Sequence, residues 1–390
     1  MILIWILIQL LIGYNLVFSF LLYLFSLLKR RKSNAVILNE NYDYGIIVTA
    51  YEQTHMLPAV VDSLLKIKYN NYHIYIVADN CDISTLQILN SRVSVLKPEM
   101  ILSNNVKSHF YAINRFNRNH DILTIIDSDN LVHPEYINEL NKFFAQGFKA
   151  VQGRRKAKNL ETQLACLDAA RDNYYNFYDS EVLFRLGSSS TLSGSGMAFK
   201  TNVYVECLES VEVLGAGFDK VLQAQLVEKG YRIAYAPEAI VFDEKTTHSK
   251  QLIGQRSRWI NTWFKYVKYG FRLILTGIKR KSLNQFLFGT ILLRPPLFIF
   301  ILLSVICFCL NLFINNFYSV VWLIAFIIFV FSFLFALKKQ DTSKKVYSSL
   351  GSIPKFIFYQ LVSLYYARIA NQRSIATKRP NISKIEYDKW

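Results

Sequence analysis

The stretch Ile122-Leu-Thr-Ile-Ile-Asp-Ser-Asp-Asn130 begins as a run of apolar and β-branched residues and ends in two aspartates two positions apart. Its apolar half predicts a strand that is buried on both faces, as in a parallel sheet. Two earlier runs have the same form: Tyr44–Ala50 is followed by Tyr51-Glu52, and Ile74–Ala78 is followed by Asp79-Asn80-Cys81-Asp82. The three runs therefore predict one sheet with polar side chains after its strands.

Helical patterns lie between and after these strands. They cover four segments, which are Leu57–Ile67, Ser84–Ser91, Lys107–Asn117 and Pro134–Phe144. Strands that alternate with helices predict right-handed crossovers and an α/β fold. Ligands of such folds bind beyond the carboxyl ends of the strands, so the polar residues found there are the first candidates for a functional site.

Asp127 and Asp129 are the sharpest of these candidates, because residues two apart at a strand end project to the same side. Carboxylates gathered at one edge repel one another and favour a cation between them. A hard divalent ion shared with a diphosphate would use this arrangement. The simpler interpretation is a turn before a helix, since Asp, Ser and Asn are all common there.

The composition indicates a membrane protein. Of the 390 residues, 52% are hydrophobic, and the net charge is +17. Basic residues that flank a bilayer explain both values together. So high a hydrophobic fraction excludes a disordered chain. The five cysteines form no CxxC cluster, which argues against a zinc site or a disulfide framework and indicates that the soluble part faces a reducing compartment.

Other common ligand classes have little support in the sequence. No GxGxxG follows the first predicted strand, and no GxxxxGK[ST] is present, so neither a dinucleotide fold nor a P-loop is predicted. The basic runs at 154–158 and 279–281 lack the interleaved aromatics of a nucleic-acid site. The second run lies next to a predicted membrane segment, where anionic lipid is the nearer partner.

Three segments are predicted to cross a membrane. Residues 1–28 contain no charged side chain, and as a helix they would exceed the roughly 30 Å hydrocarbon core. A second uncharged run, 295–337, allows two crossings and is divided by Asn315-Asn316. A cleaved signal peptide would carry its basic residues before the apolar run, whereas Lys29-Arg30-Arg31-Lys32 follow it. These residues, with Lys338-Lys339, orient the domain between the spans toward the cytoplasmic face of the cell (inner) membrane.

Two further segments, 283–294 and 353–370, are too short or too polar for a clear span and are predicted to lie in the headgroup region. A fourth crossing at 353–370 is the alternative. The predicted organisation is a spanning helix at 1–28, a cytoplasmic domain at 40–275, an interfacial helix at 283–294, spanning helices at 295–314 and 317–337, the segment 353–370, and a basic cytoplasmic tail at 371–390.

A last group of motifs follows the strands. Gly194-Ser195-Gly196 comes first, then Gly217-Phe218-Asp219 at the start of an apolar-periodic helix, and finally Gln255-Arg256-Ser257-Arg258-Trp259. On a helix, Gln255, Arg258 and Trp259 share one face, which leaves the neighbouring arginine to one side. A fork-shaped cation beside a flat aromatic suits a phosphate next to a sugar ring. An Arg/Trp pair at the headgroup belt is the alternative interpretation.

Taken together, these residues resemble the membrane-embedded family 2 glycosyltransferases, the group that contains cellulose, chitin, hyaluronan and poly-N-acetylglucosamine synthases. The resemblance covers residues 44–263 and extends to the arrangement of the spanning helices. Four ordered motifs carry it, namely Val77–Asp82, a segment with Lys107, the DxD at 127–129 and the Q-x-x-R-W at 255–259. It implies a GT-A fold, in which a Rossmann-like mixed sheet supports an inverting transfer from a nucleotide-activated sugar.

The resemblance also implies roles for individual residues. Donor-binding positions would be Ala50, Tyr51, Glu52, Asp79, Lys107, Asp127 and Arg258, and acceptor-binding positions would be Gln152, Gly194, Ser195, Gly196, Gln255 and Trp259. Asp129 would bind Mg²⁺ or Mn²⁺ against the diphosphate. Asp219 would be the base that takes a proton from the acceptor hydroxyl.

Two positions depart from the family pattern. Phe218 stands where the family usually has Glu before the base, and Tyr51-Glu52-Gln53 stands where it has Tyr-Asn-Glu. For Asp219, the alternative is a first-turn acid that stabilises the following helix. The second departure changes the residues at the nucleotide contacts that the resemblance implies near the first strand.

The predicted function is the synthesis of a β-linked polysaccharide from a UDP-hexose or UDP-N-acetylhexosamine at the cytoplasmic membrane face. Non-processive transfer to a lipid, as in ceramide glucosyltransferases, is the first alternative, because three crossings are few for a translocation channel. A catalytically silent partner subunit is the second. The predicted partners are a UDP-sugar, the polysaccharide or lipid acceptor and the lipid bilayer, with an export or regulatory subunit left open and no nucleic acid.

Overall fold

The computed structural model describes residues 2–29, 41–84, 86, 88–213 and 215–370 of the chain. Within them, an α/β domain built on one mixed sheet follows an N-terminal apolar helix and precedes a helical region. The basic residues Arg30-Arg31-Lys32 and the tail 371–390, both used in the predicted topology, lie outside the described residues.

The sheet contains eight strands in the described part of the chain. In chain order they are β1 Tyr44–Tyr51, β2 Tyr72–Asp79, β3 Val93–Leu96, β4 Ile122–Asp127, β5 Leu131–Val132, β6 Ala150–Ala157, β7 Met197–Lys200 and β8 Ile233–Asp243. Across the sheet their order is β3-β2-β1-β4-β7-β6-β8-β5. The first four are parallel, β7 is antiparallel to both of its neighbours, and β6 and β8 are parallel. The predicted α/β fold with a mixed sheet is confirmed.

The helices surround and follow this sheet. In chain order they are α1 Ile2–Leu28, α2 Leu57–Leu65, α3 Asn105–Ile113, α4 Tyr136–Phe144, α5 Gln163–Tyr175, α6 Leu183–Arg185, α7 Thr201–Leu208, α8 Phe218–Glu228, α9 Ser249–Tyr266, α10 Lys268–Lys279, α11 Leu283–Leu293, α12 Leu297–Ile314, α13 Asn316–Lys339, α14 Lys344–Ser349 and α15 Ile353–Tyr366. A π-helical segment, Asn176–Val182, joins α5 to α6, and 3₁₀ turns at Leu350–Ser352 and Ala367–Ile369 flank α15.

Both faces of the sheet are covered, which explains why its strands read as nearly continuous apolar runs. Helices α2 and α4 pack on one face and α3, α7 and α8 on the other. The register sets the ends of β1, β2 and β4 level, since Tyr51 pairs with Asp79 and Thr49 pairs with Asp127. The polar residues that follow these three strands therefore meet at one edge of the sheet.

The predicted helix at Ser84–Ser91 is wrong, because the described residues of this segment form turns and irregular chain. Asp82 Oδ1 accepts a hydrogen bond from the Ser84 main-chain N–H at 2.9 Å, which favours a turn. Leu89 is 98% exposed, so the segment has no continuous apolar face to bury. A helix this short is unstable in water without one.

Three described helices, α1, α12 and α13, are long and apolar enough to cross a membrane. They pack on one another through an internal polar network as well as apolar contacts. Trp322 Nε1 donates to Gln9 Oε1 at 2.7 Å, and Trp5 Nε1 donates to Asn311 Oδ1 at 3.3 Å. The Asn311 amide donates to the same Gln9 oxygen. Hydrogen bonds between helices in this position favour a defined bundle.

Contacts at Arg294, between α11 and α12, fix the bundle to the α/β domain. Its guanidinium forms an ion pair with Asp179 of the π-helical segment and donates to Ser19 Oγ of α1 at 3.1 Å. Ser332 Oγ of α13 donates to the Tyr178 hydroxyl at 2.7 Å. The π-helical segment therefore touches both the first and the last apolar helix.

Helices α10 and α11 form a hairpin with close backbone contact. An added Cβ at Gly277 would lie 2.5 Å from the Phe286 main-chain nitrogen and 2.8 Å from its Cα. A backbone atom cannot move aside as a flexible side chain can. Gly277 is therefore required for this packing.

We expect Gly277→Ala to lower the free energy of unfolding by about 1–3 kcal/mol through overpacking. Gly254→Ala in α9 is the matched control, because a Cβ there meets nothing within 4 Å. It should raise stability by up to about 1 kcal/mol, since alanine is the better helix former. Thermal unfolding of the purified protein in detergent measures both, and equal midpoints would contradict the close contact.

Candidate functional site

A cavity of about 490 Å³ lies between the sheet and the helices that follow it. Its walls come from the end of β4, from β6, from the loop 191–194, from the start of α8, from α9 and from the segment 291–298. Six of the sequence-predicted site residues line it: Asp127, Gln152, Gly194, Asp219, Gln255 and Trp259. The fold thus brings the first aspartate of the DxD, the first glycine of the Gly-Ser-Gly loop, the predicted base and two residues of the Q-x-x-R-W motif to one cavity.

The Ser195 hydroxyl organises the loop that contains the two aspartates. It accepts a hydrogen bond from the Asp127 main-chain N–H at 3.0 Å and one from the Asn130 side-chain amide at 2.7 Å. Both Ser195 and Asn130 are buried. Ser195 therefore holds Asp127 in place, although the resemblance implies an acceptor-binding role for it.

Gln152 performs a similar task on the Gly-Ser-Gly loop. Its Nε2 donates to the main-chain oxygens of Gly153 at 2.8 Å and Ser195 at 3.1 Å. Its Oε1 accepts from the Ser193 main-chain N–H at 3.0 Å. The side chain is 2% exposed and already saturated with protein contacts, so it shapes the cavity wall.

Asp219 lies in the first turn of α8, where Gly217 provides the N-cap. Gly217 has φ +99, and an added Cβ would lie 2.4 Å from Thr262 Cγ2 of α9. Only glycine combines this conformation with so close an approach. The turn therefore brings the start of α8 against α9, and the Asp219 carboxylate lies 3.5 Å from Lys220 Nζ.

Asp79 occupies a different environment from the cavity residues. Its two carboxylate oxygens accept hydrogen bonds from the main-chain N–H groups of Leu102 and Ser103, at 2.9 Å and 2.7 Å. The Ser103 hydroxyl in turn donates to the Tyr51 hydroxyl at 3.0 Å. Asp79 is 2% exposed. It thus fixes the segment before α3 against the ends of β1 and β2.

The remaining predicted residues lie outside the cavity lining within the described chain. They are Ala50, Tyr51, Glu52, Asp79, Lys107, Asp129, Ser195, Gly196 and Arg258. Tyr51 and Glu52 are at the end of β1, and Glu52 has φ 60. Lys107 is exposed in the first turn of α3. Most of these residues surround the edge formed by β1, β2 and β4.

A buried set of charged side chains, here called the charged cluster, joins the sheet to α5 and α9. It consists of Arg155, Asp168, Arg171, Asp172, Asp243, Lys245 and Arg256. Asp168 pairs with Arg256 and, at 3.3 Å, with Arg171, while Lys245 lies 2.7 Å from Asp243. Four of these residues, Arg155, Arg171, Asp172 and Arg256, line the cavity.

The pairing keeps the cluster ionised despite its burial. Burial opposes the charge of Asp172, but Arg171 and Lys245 outweigh it and hold the pKa of that carboxyl well below its usual range. Burial likewise opposes the charge of Lys245, and Asp172 and Asp243 raise its pKa. Burial and the nearby Arg171 lower the pKa of Arg256 to about 10. Arg256 therefore remains a cation at neutral pH.

Arg256 also corrects the sequence-based geometry of the Q-x-x-R-W helix. Helical spacing predicts that Arg256 lies off the face shared by Gln255, Arg258 and Trp259. Its guanidinium nevertheless lies 4.0 Å from the centre of the Trp259 ring. Residues three apart are neighbours on a helix, as are residues four apart, and Asp168 pulls the side chain inward. Arg171 approaches the same ring at 4.4 Å. Two guanidinium groups thus contact Trp259.

Sequence reasoning missed Arg155, Arg171, Asp172, Asp179 and Arg294 as cavity residues. A signal for two of them was available, since Asp168, Arg171 and Asp172 recur at helical spacing in α5. In the sequence, Arg155 is part of a basic run. In the fold it lies on β6, directly after five buried residues of that strand. Its partner, Asp243, is 88 positions away along the chain, which no local pattern reports.

Asp127 and Asp129 are the residues suited to a divalent cation. Among the described residues, no group of three or more His, Cys, Asp or Glu side chains could hold a metal. Mg²⁺ and Mn²⁺ need only one or two carboxylates when substrate phosphates complete the ligand set. Ser195 fixes the Asp127 main chain, and Asp127 and Asp129 would supply two carboxylates to an ion that binds together with a diphosphate.

Comparison with known proteins relates the cavity to an enzyme family. Residues 42–262, more than half of the chain, match the family model described as glycosyltransferase like family 2. The matched region runs from just before β1 into α9 and contains the Asp127, Gln152, Asp219 and Gln255 positions of the cavity. It covers nearly the whole of the α/β domain.

One solved structure agrees on the fold. A mannosyltransferase, PcManGT from Pyrobaculum calidifontis, in complex with GDP-Man and Mn²⁺, is 13% identical with a TM-score of 0.56, and the match covers 92% of this chain and 98% of that chain. The expected GT-A fold is thereby confirmed. S. aureus TarS 1–349 in complex with UDP-GlcNAc is 12% identical over 84% of this chain and 90% of that chain, and its TM-score of 0.44 is too low to support an argument.

We expect Ser195→Ala to destabilise the loop that carries Asp127, because a buried N–H and a buried amide each lose their acceptor. The cost should be about 1–3 kcal/mol. Hydrogen–deuterium exchange should show faster exchange at the Asp127 amide. Ser193→Ala is the control, since the Ser193 hydroxyl makes a single weak contact at 3.5 Å. Equal protection of the loop in both variants would contradict this role of Ser195.

Proposed function

Because the family 2 model matches more than half of the chain, this protein belongs to the glycosyltransferase-like family 2 and is a glycosyltransferase, and we propose that it moves a sugar from a nucleotide-diphosphate sugar to an acceptor at the membrane face. The observation that carries the proposal is that Asp127 and Asp219 line one cavity. A donor bound at Asp127 and an acceptor beside Asp219 would then share one space.

In the proposed reaction, Asp219 acts as the general base. The acceptor oxygen forms a bond to the anomeric carbon, and its proton passes to the Asp219 carboxylate. The bond from that carbon to the diphosphate oxygen breaks, and its electron pair leaves with the nucleotide diphosphate. Attack from the side opposite the leaving group inverts the anomeric configuration.

We propose that Asp127 and Asp129 hold Mg²⁺ or Mn²⁺ with the donor. A bound ion would stabilise negative charge on the diphosphate as a Lewis acid. Ser195 keeps Asp127 oriented through the main-chain hydrogen bond. The mannosyltransferase of similar fold was solved in complex with GDP-Man and Mn²⁺. We therefore propose GDP-sugars as donors beside the UDP-sugars expected from the sequence.

Donor contacts proposed from the family resemblance are of two kinds. Tyr51, Glu52 and Asp79 would form the nucleoside side at the ends of β1 and β2. Both carboxylate oxygens of Asp79 already accept hydrogen bonds from main-chain N–H groups. Asp79 would therefore contribute to donor binding by shaping that pocket. Lys107 and Arg258 would face the anionic part of the donor.

The cavity favours a lipid acceptor over a polysaccharide. The segment that contributes Ile291, Leu292, Leu297 and Phe298 to its wall lies where α12, one of the apolar helices, begins. The apolar part of a lipid acceptor would pack against these apolar side chains. A growing β-linked polysaccharide is the second candidate, supported by Trp259, whose ring is 38% exposed beside the cavity.

We propose a multi-pass topology in which the α/β domain faces the cytoplasm. The basic residues Lys338 and Lys339 end α13, and the positive-inside rule puts such residues on the cytoplasmic side. The active site would then draw on cytoplasmic nucleotide sugars.

We expect Asp219→Asn to lower kcat by roughly 10²- to 10⁴-fold, the usual contribution of a general base. The assay is release of nucleotide diphosphate from a panel of UDP-Glc, UDP-GlcNAc, UDP-Gal, UDP-GlcA and GDP-Man. Asp62→Asn is the control, because Asp62 forms an exposed pair with Lys66 on α2. Unchanged kcat in Asp219→Asn would favour the helix-stabilising interpretation, and no release with any donor in the native protein would favour a silent partner subunit.

We expect Asp129→Asn to raise the Mg²⁺ or Mn²⁺ concentration needed for half-maximal activity, since one of two carboxylate ligands is lost. Chelation of divalent ions should abolish turnover in the native protein. Asp82→Asn, at the same sheet edge but outside the DxD, should leave the metal titration unchanged. Identical titration curves for the native and Asp129→Asn proteins would contradict the assignment of the metal site.

A further inference from the structure

The cavity wall contains buried N–H donors that have no hydrogen-bond acceptor among the described residues. They are Nε and Nη1 of Arg256, Nε of Arg171, Nε of Arg155, Nε1 of Trp263 and Nε2 of Gln223, against a single unpaired carboxylate oxygen in the described lining, Oδ1 of Asp179. Arg256 is 3% exposed, so bulk water cannot satisfy it. Buried donors in folded proteins are almost always paired. Several unpaired donors around one cavity indicate a ligand that supplies acceptors.

The acidic residues of the charged cluster do not supply those acceptors. Asp168, Asp172 and Asp243 already form ion pairs, and four cationic side chains share these three carboxylates. Burial opposes the charge of Arg155, but Asp243, Asp172 and also Asp127 stabilise the Arg155 cation and raise its pKa. Of these, Asp127 belongs to the proposed metal pair. The cluster therefore presents positive charge and free donors together, which suits an anion.

The same cavity is apolar on its other wall. Ile291, Leu292, Leu297 and Phe298 line it, and Trp263 contributes an aromatic ring with an unpaired N–H. A simple inorganic anion would leave this wall without contacts. A ligand that uses both walls has an anionic group next to an apolar chain.

We propose that the acceptor is an amphiphile in which a phosphate joins an apolar tail to the sugar whose hydroxyl is glycosylated, and that Arg256 and Arg171 bind this phosphate. The proposal rests on the transferase function proposed above. Guanidinium groups match phosphate oxygens in charge and in geometry. The donor diphosphate is assigned to the Asp127–Asp129 edge, so Arg256 belongs to a second anion site, and the acceptor phosphate is unchanged by the reaction.

The test compares two synthetic acceptors with the same sugar and the same alkyl chain, one joined through a phosphodiester and the other through a neutral ether. The native protein should use the phosphodiester with a kcat/KM roughly 10- to 100-fold higher, the size expected from charge-assisted hydrogen bonds to a buried guanidinium. Equal values for the two acceptors, or a higher value for an acidic polysaccharide, would overturn the proposal.

Inorganic phosphate serves as a competitor in the same assay. It should raise KM for the phosphodiester acceptor and leave KM for the ether acceptor unchanged. Equal inhibition with both acceptors would assign the site to a free anion or to the donor diphosphate, and would also overturn the proposal.

Arg256→Gln should reduce the preference for the phosphodiester toward unity, and Arg256→Lys should retain part of it, because the charge remains while the fork is lost. Arg118→Gln is the matched control, since Arg118 pairs with Asp43 and does not line the cavity. Thermal unfolding tests whether each variant is folded. If the Gln variant does not fold, full native preference in the Lys variant would still overturn the role of Arg256.

Failure of the transferase function gives a different result. In that case no donor of the panel releases nucleotide diphosphate with either acceptor, and both proposals are overturned. Turnover with equal efficiency on the two acceptors overturns only the anionic acceptor.

Discussion

The carboxylates of Asp168 and Asp172 on α5 hold Arg171 of the same helix, Lys245 from the chain after β8 and Arg256 of α9. Asp243 at the end of β8 holds Arg155 of β6 and the same lysine. These pairs are buried, and burying a charge is unfavourable unless it is paired. This free-energy cost keeps the paired side chains in place, because an arginine that moved away from its carboxylate would leave two buried charges unpaired. The wall of the cavity and the position of α9 therefore depend on this pairing.

The same constraint links the α/β domain to the apolar helices α1, α12 and α13. Arg294 pairs with Asp179 and reaches Ser19 of α1, so one guanidinium contacts the π-helical segment and the first apolar helix. π-Helical segments are frequent at functional sites because they change the direction of side chains within a helix. Here the segment directs Asp179 into the cavity and Tyr178 toward α13. The cavity and the apolar helices thus share one set of buried contacts.

Much of the fold could be predicted because its signals are local. Runs such as Ile122–Ile126 are apolar at every position since helices cover both faces of the sheet, and the uncharged runs at 1–28 and 295–337 are long because a bilayer is thick. The helix predicted at 84–91 does not form, since Leu86 and Ile88 pack against the core while Leu89 is 98% exposed, so the apolar residues do not share one face. Whether Leu89 is buried depends on the rest of the fold, which a short window does not contain.

The sequence by itself determined the order of the elements, the family motifs and the residue types at the sheet edge, since each follows from neighbours in the chain. Only the tertiary structure decided what those residues contact. Asp79 and Gln152 are predicted from the sequence to bind ligands, and the fold shows that both side chains also form hydrogen bonds with main-chain groups. Arg256, which the sequence left to one side, lies against Trp259 because Asp168, 88 positions earlier, holds it there. Pairing between distant charges is a property of the folded chain, because it depends on which segments the sheet brings together.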